Sequence, residues 1–406
     1  MRQLPVSSAR HAVPAFLAAL ALSACASKPI LPAANEPSEA VTLPMQLDEV
    51  HASIEVEVNG QPARMLLDTG ADQIVLSADA AKRLRLPVRA TATPGSGAAG
   101  TYTASTTMIA DLAAGDIHRR KLTAYVVPFP EEFVYDGVLG APFFATLRIT
   151  LDYQRRAVTL RSSASRETSS DSVQIPMKLE GGKLLVLASA AGVTGWFCVD
   201  TGAGNALTLF TPTVKQRGLG KAFSPAVHTI TGVSAGGYTR GTLVRVPEVA
   251  IGPFALRQVV AELSEAEKGL FASSLYAGNL GGEIWRRFNV TLDYSGHQML
   301  LAPNDAIGQP FVGPRSGLSP SLVEGVIQIV DVVDGSPAAE AGLRIGDVIV
   351  AMNGVSTDPH QDTVIRRSYD EIAQALRAAP GTPVKVTVRD VSGVERDATL
   401  MLRDLL

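Results

Sequence analysis

The sequence predicts a mainly β chain: two copies of one β-rich unit followed by a smaller α+β domain. Three observations lead there. Val, Ile and Thr gather in short alternating runs, punctuated by 36 Gly and 25 Pro among 406 residues, the pattern of strands joined by tight turns. The tetrad Asp-Thr-Gly-Ala occurs twice, at residues 68–71 and 200–203, each time after an apolar run. Beyond Leu301 the chain changes character at Ala302-Pro303-Asn304, and a Gly/Pro-rich stretch continues to Gly317, which marks a domain boundary. The length implies roughly two or three domains. With 46% hydrophobic and 18% charged residues, general disorder is excluded. A formal charge of −3 on 36 basic and 39 acidic residues, with no long basic run, lacks the footprint that nucleic acid requires. Two cysteines cannot build a disulfide scaffold.

At the amino terminus Arg2 and Arg10 flank the approach to an apolar run, Ala15 to Leu22, that ends at Ser23-Ala24-Cys25. The run is too short for a permanent membrane helix and reads as an export signal over residues 1–24. Leu22-Ser23-Ala24-Cys25 resembles the bacterial lipobox, which implies that Cys25 is acylated and becomes the first residue of the mature chain. No Asp follows the cysteine, as in lipoproteins of the outer membrane. The expected location is therefore the bacterial cell envelope, lipid-anchored and facing the periplasm. Residues 25–44, rich in Pro, Ala, Ser and Glu, are expected to form a flexible tether.

The repeated units are expected over residues 45–160 and 173–303, joined by a Ser-rich linker over 161–172. Met65-Leu66-Leu67 leads into Asp68-Thr69-Gly70-Ala71, and Phe197-Cys198-Val199 into Asp200-Thr201-Gly202-Ala203. A second motif follows each. Gly137-Val138-Leu139-Gly140 continues through Phe144 to Leu151-Asp152-Tyr153, and Gly278-Asn279-Leu280-Gly281 through Phe288 to Leu292-Asp293-Tyr294. The offset is 132 residues for the first pair and 141 for the second, as expected of one unit whose loops differ in length. Between the motifs of each copy lies a Gly-rich stretch, with Gly100 and Tyr102 in one and Gly237 and Tyr238 in the other. Both read as hairpins with mobile tips, either lids or ordinary long hairpins.

An apolar strand entering Asp-Thr-Gly-Ala, a Gly-bearing hairpin and a hydrophobic-hydrophobic-Gly element together resemble the retropepsin lobe of aspartic proteases. Two such lobes in one chain resemble the pepsin arrangement. The resemblance implies two β-barrel lobes, endopeptidase activity on protein or peptide substrates with no cofactor, and Asp68 and Asp200 as the catalytic pair. It implies also that Thr69 and Thr201 cross-brace the two loops, while Gly70 and Gly202 let backbone N–H groups reach the carboxylates. Metal-free hydrolysis needs one group to take a proton from water and another to supply one to the carbonyl oxygen. Two close carboxylates do both, because they share one proton rather than both ionise. Ala71 and Ala203 stand where pepsin-like enzymes often carry Ser or Thr, so an optimum nearer neutral pH is expected. Asn279 departs from the pattern, which has an apolar residue there; the expected effect is on packing of the second lobe and does not reach the carboxylate.

Other motifs dissolve on inspection. Residues 95–100 match G-x-G-x-x-G but precede a β-type run, where that motif must open a helix. Gly232-Val233-Ser234-Ala235-Gly236 matches the nucleophile elbow without its following helix. The six histidines show no metal-ligand spacing, and no metal is expected. Cys198, in an apolar strand pattern, is expected to be a buried, inert thiol.

The third domain is expected over residues 315–405. Val326 to Val333 forms a strand, Ser336-Pro337 opens a short helix closed by Gly342, Tyr369 to Ala379 is an amphipathic helix, and two further strands complete a sheet. The run from Gly335-Ser336-Pro337-Ala338-Ala339 to Gly346-Asp347-Val348-Ile349 resembles a bacterial PDZ domain. This implies capture of an extended C-terminal peptide by strand addition beside a carboxylate-holding nest, for which Ser316, Gly317 and Leu318 are the candidate residues. The whole reads as a lipid-anchored aspartic endopeptidase whose PDZ domain recruits substrates or partners. The alternative is a non-catalytic, peptide-binding envelope adaptor with degenerate lobes.

Overall fold

The computed structural model describes residues 39–163, 171–357 and 371–406. The expected export signal, Cys25 and most of the expected tether lie outside the described residues. The tether ends earlier than expected, because Val41–Pro44 is a strand paired antiparallel with residues 157–160. Likewise Arg161 and Ser162 belong to the strand Ala157–Ser162 and not to the linker.

Each lobe is built the same way from the same burial pattern. In His51–Val58 the residues Ala52, Ile54, Val56 and Val58 are buried while Glu55 and Glu57 are exposed, the period of a strand with one wet face. Lys183–Ala190 repeats it, with Leu184, Val186, Ala188 and Ala190 inside and Leu187 outside. Asn59-Gly60 and Ala191-Gly192, all at positive φ, make the tight turns that such hairpins need. The returning strands, Gln61–Leu67 and Val193–Val199, carry the chain into the two Asp-Thr-Gly-Ala loops. Each then runs parallel to the strand of the second motif, Gly137–Leu139 or Gly278–Leu280. The sheets close on themselves where His51–Val58 meets Thr101–Ala114 and where Lys183–Ala190 meets Gly237–Ile251. These are the two β-barrel lobes.

A shared antiparallel sheet joins them. Leu147–Asp152 lies beside Phe288–Asp293 with Thr150 opposite Thr291, their hydroxyls 2.8 Å apart. Those residues occupy the same place in the two copies, so a pseudo-twofold axis passes between them. Arg148 and Asp293 close a buried ion pair across the same seam at 3.0 Å. One apolar core runs from the first lobe through this sheet into the second.

The third domain has its own core. Its strands Leu318–Val323, Val326–Val332, Val348–Met352, Pro383–Arg389 and Glu395–Met401 form one sheet, and Ser336 caps the helix Pro337–Glu340 by accepting from the Ala339 N–H. Of the expected second helix, Tyr369 to Ala379, residues 369 and 370 lie outside the described residues, 371–375 are helical, and the helix ends before 376, earlier than expected. The domain docks on both lobes. Asp331 accepts from the Thr229 hydroxyl at 3.0 Å and the Ile230 N–H at 2.8 Å, and Glu132 of the first lobe accepts from the Leu322 N–H at 2.8 Å.

Candidate active site

The two Asp-Thr-Gly-Ala loops meet on the pseudo-twofold axis. The Thr69 N–H donates to the Thr201 hydroxyl at 3.2 Å, and the Thr201 N–H to that of Thr69 at 3.1 Å. Each hydroxyl donates in turn to the opposite strand, Thr69 to Val199 O and Thr201 to Leu67 O, both at 2.6 Å. The loops are thus cross-braced by four hydrogen bonds, all buried, and the expected roles of Thr69 and Thr201 are seen directly.

Asp68 and Asp200 are fully buried and close enough that each shifts the other's pKa. The inner oxygen of each is held by its own loop. Gly70 and Ala71 N–H groups donate to Asp68 Oδ1 at 2.8 and 3.1 Å, and Gly202 and Ala203 N–H groups to Asp200 Oδ1, both at 3.0 Å. Gly70 and Gly202 have a second task. A Cβ on Gly70 would lie 2.6 Å from Asp200 Cγ, and one on Gly202 would lie 2.4 Å from Asp68 Cγ. Only glycine lets each loop approach the opposite carboxyl so closely.

Burial raises the pKa of Asp68 well above the ordinary carboxylate value, and the charge and hydrogen bond of Asp200 push it further. Burial also raises Asp200, opposed by Asn279, by the hydrogen bond with Asp68, by Lys183 and by the Gly202 N–H. A pair in this setting holds one proton between two carboxyls, which is the state that water activation and carbonyl protonation require.

Two residues at the site were not assigned to it from the sequence. Asn279 was expected to matter for packing alone; instead its Nδ2 donates to Asp200 Oδ2 at 2.9 Å. The parallel pairing of Phe197–Val199 with Gly278–Leu280 sets Asn279 beside Cys198, two residues before Asp200. Lys183 is 2% exposed and reaches across the lobe boundary to donate from Nζ to Gly70 O at 2.8 Å. Its ammonium draws both Asp68 and Asp200 toward their charged forms. Superposing the copies at the 132-residue offset would have put Lys183 in register with buried His51, a signal that neither position is a surface residue. Lys183→Met is expected to raise the pKa of both carboxyls and move the bell of kcat/KM against pH upward on both limbs. A pH profile of the variant checks it.

The hairpins form a roof, and their tips are not free. Ala98, at the tip of the first, is buried against Phe210, Leu270 and Phe271 of the second lobe, and Gly97 O and Ala98 O accept from the Leu270 and Phe271 N–H groups at 3.0 and 2.9 Å. Val233 and Ala235 of the second hairpin pack reciprocally into a cluster of the first lobe that includes Ala71 and Val138. Gly100 meets Gly236 where the tips cross, leaving no room for a side chain on either. Tyr102 packs on its own hairpin against Gly95. Tyr238, beside exposed Gly237, points away from the dyad and donates to Ser321 of the third domain at 2.8 Å. It anchors that domain and does not cover the carboxyls. With the tips interlocked the dyad is sealed.

Both decoy motifs fall on these hairpins. Burial pushes the Cys198 thiol up to about 12, an inert side chain as expected. No cluster of His, Cys, Asp or Glu among the described residues could hold a metal ion.

Ser316, Gly317 and Leu318 lie at the mouth of a groove lined also by Ala373, Leu376 and, from the second lobe, Leu243. Gly317 has positive φ, and the Leu318 N–H is turned onto the Ser316 hydroxyl at 3.1 Å. The strand Leu318–Val323 pairs on one side with Val326–Val332. On the other, its edge is engaged by Glu132 through the Ser321 hydroxyl and the Leu322 N–H.

Comparison with known proteins agrees with this architecture. The family model described as aspartyl protease matches residues 54–143 and 186–283, one segment in each lobe, and that of the PDZ domain matches residues 328–390. Among solved structures, a retropepsin-like aspartic protease from Rickettsia conorii is 16% identical, with 32% of this chain and 94% of that one covered and a TM-score of 0.24. Basic 7S globulin from soybean is 10% identical, with 66% and 95% covered and a TM-score of 0.36. No curated protein matches the chain. The chain is built of two retropepsin-like lobes followed by a PDZ domain.

Proposed function

We propose that the protein is an aspartic endopeptidase that hydrolyses peptide bonds in protein or peptide substrates by water attack at the Asp68–Asp200 dyad. The observation that carries this reading is the dyad itself. Two buried carboxyls lie together, each is held by two backbone N–H groups of its own loop, and the loops are locked by reciprocal threonine bonds. A turn or a scaffold needs none of these. No cofactor is called for, because the pair supplies both acid and base.

A hydroxyl-bearing peptide tests the reading, its tetrahedral carbon standing in place of the scissile carbonyl. Mimics of this kind bind at least about 10²-fold tighter than substrates when an enzyme stabilises the tetrahedral species. The parent should show that preference by calorimetry, and Asp68→Asn and Asp200→Asn should lose it. Equal affinity for all three would favour the adaptor reading. The groove at Ser316, Gly317 and Leu318 supports that second reading, since peptide capture there would not involve the dyad. In the endopeptidase reading the same groove recruits substrates or partners by their C-termini.

The lipobox-like Leu22-Ser23-Ala24-Cys25 supports a lipid-anchored protein of the bacterial envelope, on the periplasmic face of the outer membrane. Labelling with a fatty-acid analogue is expected to mark the parent and not Cys25→Ser.

A further inference from the structure

The two lobes differ at one position that touches the dyad. The second motif carries Val138 in the first lobe and Asn279 in the second, and both side chains are fully buried. Asn279 Nδ2 donates to Asp200 Oδ2 at 2.9 Å; that is the outer oxygen, since Gly202 and Ala203 hold Oδ1. Asp200 therefore receives three N–H donors. Asp68 receives two, both on Oδ1, and its Oδ2 meets no donor among the described residues. Val138 has no donor to offer.

An amide NH₂ turned toward a carboxyl oxygen needs that oxygen as an acceptor, and a bond donated to a carboxylate favours its charged form. Asn279 meets Asp200 through its donor, while its Oδ1 is buried without a partner among the described residues. The other ionisable groups around Asp200 do not break the tie. Lys183 acts on both carboxyls alike in direction. Cys198 and Tyr294, which feel Asp200, are both raised by burial and stay neutral through the pH range of activity assays.

We propose that Asn279 is a positioning residue that keeps Asp200 as the ionised member of the dyad and leaves the shared proton on Asp68. Resting on the endopeptidase reading, this assigns the two roles. Asp200 takes one proton from water as its oxygen bonds to the scissile carbon, and Asp68 gives its proton to the carbonyl oxygen, forming a neutral tetrahedral diol. On collapse the C–N bond breaks, the amine nitrogen takes the proton from Asp200, and Asp68 recovers one from a diol hydroxyl as the carboxylic acid forms. Both groups return to their starting states.

The test exchanges the two side chains. The full chain, labelled with carbon-13 at the Asp carboxyls, is titrated by NMR, with Asp68→Asn and Asp200→Asn to assign the signals. Alongside, kcat/KM is followed against pH. In the parent Asp200 should ionise at lower pH than Asp68. In the double variant Val138→Asn/Asn279→Val the order should reverse. In Asn279→Val alone the acid limb of the pH profile should rise by about one to two pH units, the worth of a bond to a charged group. Asn279→Thr, which keeps a hydroxyl donor, should retain the parental order and stands in if Asn279→Val does not fold. An order of ionisation that ignores the exchange would overturn the proposal. If the order follows the amide while no variant cleaves peptides, the proton assignment stands and the endopeptidase reading falls.

Discussion

Asp68→Asn and Asp200→Asn are each expected to lower kcat/KM by at least about 10²- to 10⁴-fold, the range that one acid–base group contributes. Neither carboxyl has a substitute within reach, because the dyad is sealed beneath the hairpins and its other neighbours are backbone N–H groups, Asn279 and Lys183. Stability should move the other way. The folded-state pKa of both groups is raised, chiefly by burial, so the folded chain binds more protons than the unfolded one above the ordinary Asp value of about 3.9. What the dyad contributes to stability is present in full below that value and is lost as pH rises toward the raised value. At neutral pH the buried charge is a cost, and Asp200→Asn, which leaves a single carboxyl able to stay protonated, should unfold at a temperature no lower than the parent. A variant that is inactive and less stable would mean that the carboxyls serve the fold.

Gly202→Ala is expected to disable the site without touching a carboxyl. Its Cβ would stand 2.4 Å from Asp68 Cγ and 2.6 Å from Asp68 Oδ2, well inside contact distance, and what it meets is a fully buried side chain with nowhere to retreat. Either the Asp68 carboxyl turns away from Asp200 or the loops separate and the reciprocal bonds of Thr69 and Thr201 lengthen. Overpacking of this kind costs about 1–3 kcal/mol or more, and a displacement near 1 Å at reacting groups costs about 10²-fold in rate. Denaturant unfolding and kcat/KM read the two effects. Gly60→Ala is the control for glycine loss as such, since a side chain there meets nothing within 4 Å and faces only the strain of positive φ.

Much of this was legible in the sequence, for a physical reason. Asp68, Thr69 and Gly70 act within one loop, and their counterparts within another. A short motif therefore carries the chemistry, and its repetition carries the pairing. The strands and most of the PDZ elements were legible from period-two burial and turn residues. What escaped depends on contacts between distant segments. Asn279 reaches Asp200 because two strands run parallel in register, which local pattern does not reveal; its amide looked like a packing fault. Lys183 opens a strand, where a charge ordinarily marks an exposed edge, and only the neighbouring lobe buries it. Val41–Pro44 was absorbed into the tether because four residues are too few to show an alternation against a Pro- and Ala-rich background. Tyr238 was assigned to the lid from its place beside Gly237, whereas the third domain claims its hydroxyl.

The interlocked hairpins give the endopeptidase reading a structural requirement. Ala98 is held in the second lobe and Val233 in the first, so substrate entry must break both contacts and the bonds to Leu270 and Phe271. The second hairpin is bonded to the third domain as well, through Thr229, Ile230 and Tyr238.

The most direct measurement is cleavage itself: a diverse peptide pool incubated from pH 4 to 7 with the parent, Asp68→Asn and Asp200→Asn, and read by mass spectrometry. Internal cuts made by the parent and absent from both variants are the predicted result. A folded parent that makes no cuts, or cuts that persist in either variant, would contradict it.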